Sequence, residues 1–527
     1  MDSRPDTYFL QQAIDRGLAA IDARLDRSQG HRPFFMIRLG ESPELQHDIW
    51  DLGDMCARYV DAFLQGRQVT GIALYEDSEA ALVKLLATCD PYLEPFMAGR
   101  MLIACVSLFL RDRTPESRAR ISELVGIIRS HLKFERDYAY YFKAPEGWSS
   151  VNDPVFGSFL PYPTYPLGGI ILALARYLEE QADPECSRLL DKLCTFVLRE
   201  SGTFAPDGSY LGHTHSGGIL TSAAGIFRRA IHLGDRDTVR FMTQTLDWTL
   251  AHCSSWGWVP DGLGGPDPSC ETCSLADALH FMLLAARHVN PSYYGVAERF
   301  ARNQLIENQY RLPDRALPAG DFPARDAIVR ALDGSWASWS LPNSLDNGLD
   351  SVEGCCLGAG IAACCMVMDR TIERTPEAVR VNMAFSRNSE WAEIVSYLPY
   401  TGRIDMLMHV DANLLVRVPD GVSHTEIDVS RNGRPIESIV TQDGYLDIPE
   451  AAQGDRVSIE FPLVAREIEE VVAGQTYRVR WRGDTVTHIE PVGARYPIFE
   501  RAWMETDEPP LIPVQPYSGQ LGGPVHW

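Results

Sequence analysis

The spacing of apolar residues changes once along the chain. From Tyr8 to about Arg370 apolar positions recur at the helical period. Ile170, Ile171, Leu174, Tyr177 and Leu178 follow Pro166, a residue suited to a first helical turn. Asp183-Pro184 opens the next helix, whose apolar face is Cys186, Leu189, Leu190, Leu193, Phe196 and Val197, and Gly202 is placed to end it. The same helix–short loop–helix unit recurs at 216–253 and 274–308, and in weaker form at 43–66, 78–111 and 116–135. Roughly a dozen helices joined in pairs by short connections predict an (α/α)6 barrel.

Near Thr375 the period becomes two. Ile404, Met406, Met408 and Val410 alternate with polar residues, as do Val457, Ile459 and Phe461, then Tyr477, Val479 and Trp481. Asn432-Gly433, Asp443-Gly444 and Gly454-Asp455 supply turns between them. These segments predict an antiparallel β-sandwich. The expected organisation is a mainly α chain with a β domain: a helical catalytic domain over 1–375, a sandwich over 376–505, and a Pro- and Gly-rich extended arm over 506–527.

Composition narrows the functional classes. The 527 residues are 45% hydrophobic, enough for a large core. A formal charge of −23, dispersed along the chain, argues against nucleic acid or an anionic membrane as partner. Met1 to Leu18 has no apolar run, and stretches such as Met101 to Leu110 are too short to span a bilayer. The expected location is the cytoplasm. In that reducing compartment the twelve cysteines are expected as free thiols or metal ligands before disulfides.

Two stretches concentrate chemistry: Pro268-Ser269-Cys270-Glu271-Thr272-Cys273 and Glu353-Gly354-Cys355-Cys356. Each lies at a loop–helix junction, where the positive end of the helix dipole favours thiolate and carboxylate. Three sulfurs and one carboxylate oxygen satisfy a tetrahedral divalent ion, and soft thiolates select zinc. Cys270 and Glu353 are competing ligands. The alternative is that Cys355-Cys356 are packed core thiols, as Cys364-Cys365 further along the same helix are read to be. His213 and His215 share a Gly-rich loop and point to substrate hydroxyl contacts, with surface or capping roles as the alternative. Asp54 is a candidate of the same kind, or a first-turn carboxylate. Trp148, Tyr162, Tyr165, Trp256 and Trp258 lie in similar loops and divide between sugar platforms and core.

The order of segments adds a resemblance. Trp50-Asp51-Leu52-Gly53-Asp54, His215-Ser216-Gly217-Gly218, Gly264-Gly265, Glu271-Thr272-Cys273 and, some eighty residues later, Cys355-Cys356-Leu357-Gly358-Ala359-Gly360 succeed one another. Tyr400-Thr401-Gly402 and Leu415 to Pro419 follow in the strand-rich part. In this order they resemble glycoside hydrolase family 127, the β-L-arabinofuranosidase superfamily. The resemblance implies a Zn2+ ion held by Glu271, Cys273, Cys355 and Cys356, with Cys355 as nucleophile and retention of configuration. It implies a sugar contact at His215. It also implies a general acid/base Glu in the loop before Glu271. That loop, Gly264 to Cys270, holds no Glu, so Asp267 or Asp261 is expected to substitute, unless both are turn residues. The expected substrate is a small glycoside, which the resemblance makes a β-L-arabinofuranoside, and a homodimer is compatible with the chain. The rival readings are another toroid-fold carbohydrate enzyme, such as a lyase or epimerase, and a non-catalytic sugar-binding protein stapled by zinc.

Overall fold

The computed structural model describes residues 3–7, 9–89, 95–141, 165–211, 215–263, 269–501 and 504–513. Among these residues it has thirteen α-helices followed by a β-rich C-terminal region. The helices are α1 (Phe9–Ala23), α2 (Cys56–Thr70), α3 (Glu76–Thr88), α4 (Pro95–Asp112), α5 (Pro115–Ser130), α6 (Gly168–Glu180) and α7 (Pro184–Thr195). After them come α8 (Ser216–Leu233), α9 (Arg236–Leu250), α10 (Thr272–His288), α11 (Tyr293–Phe300), α12 (Arg325–Leu332) and α13 (Gly354–Thr371).

Their packing follows from their faces. In α8, α10 and α13 nearly every residue of the first four turns is buried, small and polar ones included. By contrast α7 buries one stripe, Cys186, Leu189, Leu190, Leu193 and Cys194, and α9 buries Met242, Thr245, Leu246 and Thr249. A helix buried all round belongs inside, and an amphipathic one outside. Contacts run from α2 to α4, α6, α8, α10 and α13, and α13 returns to α2. The helices α3, α5, α7, α9 and α11 each lie against the inner helix next to them, and α1 covers α13. Although α13 is long and apolar enough to cross a membrane, it is buried within this packing.

Close approach of the inner helices depends on two glycines. A Cβ on Gly169 of α6 would sit 3.0 Å from the Gly99 backbone of α4, and one on Gly225 of α8 would sit 2.8 Å from the Leu172 nitrogen of α6. The start of α7 carries the expected cap: the Asp183 side chain accepts from the backbone N–H groups of Glu185 and Cys186, with Pro184 in the first turn.

The β region begins at Ile372. One sheet runs Ile439–Val440, Tyr445–Ala451, Ala412–Arg417, Ala378–Val381, Ile372–Arg374. A second runs Arg387–Asn388, Ala392–Ser396, Arg403–Met408, Arg456–Glu460, Asp428–Arg431, Arg434–Pro435. Their inward residues, including Val379, Leu414 and Ile448 from one and Ile394, Met406 and Ile459 from the other, form one hydrophobic cluster. The expectation of a purely antiparallel arrangement needs correction. Ala378–Val381 and Ala412–Arg417 pair in parallel, because the chain crosses to the second sheet and back between them.

Strands Ala465–Val472, Gln475–Arg482 and Thr485–Glu490 form a separate sheet. Its Tyr477, Val479, Trp481, Val486 and Ile489 join the core of the helices. A buried ion network ties the helical and β parts together. Glu298 of α11 accepts from Arg302 at 2.7 Å, from Arg417 at 2.9 Å and from the Ala384 N–H at 3.1 Å. The described part of the expected C-terminal arm ends in a strand, Leu511–Pro513, paired antiparallel with Ser3–Pro5.

Candidate metal centre and its cavity

Inner helices α8, α10 and α13 begin at one place, with His215, Glu271 and Glu353 at the positions just before their first turns. The strand Ser351–Glu353 pairs with Met36–Arg38 and runs directly into α13. The Gly354 N–H donates to the Phe35 carbonyl at 2.6 Å, which fixes where Cys355 and Cys356 start. A Cβ on Gly354 would lie 2.5 Å from the Tyr59 hydroxyl, so the turn is closed tightly against α2. On the α10 side, the Cys270 N–H donates to the Ser340 carbonyl at 2.8 Å and Ser340 returns a bond of 2.9 Å, which anchors the segment leading to Glu271.

Four side chains meet there, all buried: Glu271, Cys273, Cys355 and Cys356. The Cys356 sulfur is 3.7 Å from that of Cys273 and 3.9 Å from that of Cys355. Glu271 Oε1 is 3.5 Å from the Cys356 sulfur and 3.6 Å from the Cys355 sulfur. These separations test whether a metal fits. Bonds of about 2.3 Å to sulfur and about 2.0 Å to oxygen at tetrahedral angles put sulfurs about 3.8 Å apart, and sulfur and oxygen about 3.5 Å apart. These four separations match the edges of a tetrahedral site for a soft divalent ion, and all four donor atoms lie within 4.8 Å of one another. Of the two competitors, Cys270 donates to the Glu271 carbonyl at 3.6 Å, and Glu353 approaches only Cys355, its Oε2 lying 3.6 Å from that sulfur.

Charge follows the same geometry. Hydrogen bonds from Cys355 and Cys356 hold the Cys273 thiol well below its ordinary range against the opposing effect of burial, and Arg58 and Arg100 add to this. Arg58 Nη1 is 3.7 Å from the Cys273 sulfur. Donating to Cys273 pushes Cys355 up, and burial does the same to Cys356. Burial, then the Cys273 charge, raises the Glu271 carboxyl to about 8.

A cavity opens over the cluster, lined by Cys355, Cys273 and Glu271 together with Trp339, Glu353, Trp50, Phe96, Asp54, Arg58, Arg100 and His215. Asp54 lies in the π-helical turn Asp51–Met55 that leads into α2, and its Oδ1 accepts from Arg58 Nε at 2.7 Å. Trp339 donates to Glu353 Oε1 at 3.2 Å, and burial raises this carboxyl to about 6. Asp261 is buried and does not line the cavity. Its Oδ1 is 2.5 Å from His215 Nδ1 and accepts from Ser274 Oγ at 3.1 Å, so its carboxylate faces a histidine and a serine where a leaving group was expected.

Of the aromatics expected to divide between platform and core, Trp256 and Trp258 are core. Trp256 is fully buried, edge-on to Tyr477, and Trp258 donates to the Ser340 carbonyl at 3.3 Å. Asp267, His213, Trp148, Tyr162 and the Tyr165 side chain lie outside the described residues. Sequence reasoning missed Trp339, Arg58 and Arg100. Arg58 had a signal, four residues after Asp54 on the same helical face. The Trp339 signal is absent, because its place depends on the pairing of Cys270 with Ser340.

No protein-family model matches the chain, and no curated protein matches it in sequence. Solved structures do match in fold. A family 127 β-L-arabinofuranosidase from Geobacillus stearothermophilus T6 superposes with a TM-score of 0.58 at 15% identity, over 92% of this chain and 86% of that one. Another family 127 β-arabinofuranosidase gives 0.62 at 14% identity, over 92% and 84%. A sugar epimerase from a ruminal bacterium gives 0.53 at 13% identity, over 69% of this chain and all of that one (100%). The chain therefore has the α/α toroid fold with a β-rich C-terminal region found among family 127 glycoside hydrolases, and at its heart a buried Cys/Glu cluster compatible with a metal.

Proposed function

We propose that this chain is a retaining glycoside hydrolase acting on a small glycoside, with Cys355 as nucleophile and Glu271, Cys273, Cys355 and Cys356 as zinc ligands, on an (α/α)6 barrel followed by a β-sandwich. The observation that carries the reading is the agreement of the cluster's sulfur–sulfur and sulfur–oxygen separations with a tetrahedral site. Zinc bound there keeps the three thiols deprotonated, and thiolate is the nucleophilic form.

The residues divide the work. Cys355 borders the cavity and faces a carboxyl group, while Cys273 faces Arg58. The Cys355 sulfur attacks the anomeric carbon, the bond to the leaving oxygen breaks, and a carboxylic acid gives that oxygen its proton. Water then attacks the thioglycosyl carbon as its proton goes to the same carboxylate, the carbon–sulfur bond breaks with its electron pair returning to the Cys355 thiolate, and the sugar leaves with retained configuration. We assign the acid to Glu353, which lies beside Cys355 and borders the cavity, ahead of Asp267. Trp339 and Trp50 line the same cavity and are the aromatic candidates for packing against the sugar. Inheritance of furanoside preference rests on the neighbours alone, a β-L-arabinofuranosidase among them.

The test combines metal analysis of the purified protein with mass spectrometry after incubation with aryl furanosides and pyranosides. One zinc per chain and a sugar adduct on the peptide carrying Cys355 are expected, and Cys355→Ser is expected to abolish turnover. A protein without stoichiometric zinc, or full turnover by Cys355→Ser, overturns the assignment. Should zinc removal lower only the melting temperature, the centre is a structural staple.

A further inference from the structure

The Glu271 carboxylate has two oxygens, and they face different partners. Oε1 faces the sulfurs of Cys355 and Cys356. Oε2 lies 2.7 Å from Nε2 of His215, whose Nδ1 lies 2.5 Å from Oδ1 of Asp261. The same Asp261 oxygen accepts from Ser274 Oγ, one residue beyond Cys273 on α10. All these side chains are buried.

The backbone holds them in register. His215 and Gly262 form an antiparallel bridge, the Ser216 N–H donates to the Asp261 carbonyl at 2.7 Å, and the Asp261 N–H donates to Ser269 at 2.8 Å. A carboxylate oxygen lies against each ring nitrogen, at 2.5 Å from Nδ1 and 2.7 Å from Nε2, so the imidazole is clasped between Asp261 and Glu271.

We propose that Asp261 and His215 are positioning residues that hold Glu271 with Oε1 turned to the metal, so that they set metal affinity and do not contact substrate. This rests on the zinc reading above. A carboxylate ligand left free to rotate loses affinity, and outer partners of metal ligands are typically worth roughly 10- to 100-fold.

The experiment measures zinc affinity of the full-length chain by competition with a chromophoric chelator. Wild type is compared with His215→Ala, His215→Gln and Asp261→Asn, and KM is measured on zinc-saturated protein. Zinc binding about 10- to 100-fold weaker in His215→Ala, a smaller loss in Asp261→Asn, rescue by His215→Gln through its amide N–H, and unchanged KM support the relay. Wild-type zinc affinity in these variants overturns it while leaving the metal centre in place. A raised KM at wild-type affinity also overturns it, and makes His215 a sugar contact. If wild type itself takes up no zinc, the metal reading falls and the relay with it. Should His215→Ala not fold, the comparison of His215→Gln with Asp261→Asn decides on the same terms.

Discussion

Glu353 and Cys355 are two residues apart, and the strand-to-helix turn at Gly354 puts their side chains 3.6 Å from each other. If Glu353 supplies the proton, Glu353→Gln lowers kcat on an alkyl or phenyl glycoside by about 10²- to 10⁴-fold. The same variant retains most of its rate of sugar release from dinitrophenyl glycosides, whose leaving group needs no acid. Steady-state rates on both substrates, measured beside Asp267→Asn, identify the acid: a leaving-group-dependent loss confined to Asp267→Asn transfers the role to that residue. At this scale the sequence was informative where residues lie close along the chain. Glu271 with Cys273, and Cys355 with Cys356, were legible because each pair shares a helix start. Asp261 carried the right chemistry for an acid but lies behind His215. Only the fold reveals which side of a histidine a carboxylate occupies.

Among elements, α4, α6 and α8 approach closely where Gly169 and Gly225 let backbone meet backbone. Gly225→Ala puts a methyl against the Leu172 backbone, which cannot swing aside as a side chain would. It is expected to destabilise by about 1–3 kcal/mol, read as a lower urea midpoint with an unchanged slope. Helix periods such as Ile170 to Leu178 and strand alternations such as Ile404 to Met408 were plain in the sequence, since local burial leaves a local pattern. Sheet order left none. The parallel pair Ala378–Val381 with Ala412–Arg417, and the packing of Tyr477 and Trp481 on the helices, come from long-range partners that alternation does not specify.

Across the whole molecule, charge sets the response to acid. Burial would raise the Glu307 carboxyl, but Arg501 at 2.7 Å and Arg311 at 2.8 Å outweigh it and hold the group down to about 2, from an ordinary 4.5. Its contribution is present above pH 4.5 and lost as pH falls toward 2. Burial pushes Asp15 and Asp484 the other way, from 3.8 to about 6, so stability rises as pH falls from 6 toward 3.8. Easing the net charge of −23 acts in the same direction. Thermal melts of zinc-free protein across pH are expected to peak between roughly 4 and 6; a maximum above neutrality contradicts this balance. Breaking the Glu298 hub is a separate matter. Glu298→Gln leaves the buried Arg302 without its carboxylate partner and Arg417 with Asp420 alone, and is expected to cost about 3 kcal/mol or more, seen by calorimetry as a lower melting temperature.

The return of α13 to α2 has a consequence in time. When synthesis has produced α1 through α12, the candidate centre has Glu271 and Cys273 but neither Cys355 nor Cys356, and the strand that delivers them is still missing. A metal ion therefore cannot template the early helices. It can be captured only once the last inner helix has found both neighbours. On the zinc reading proposed above, loading is a late quality check on the nascent chain: a protein that has failed to close has nowhere to keep a metal.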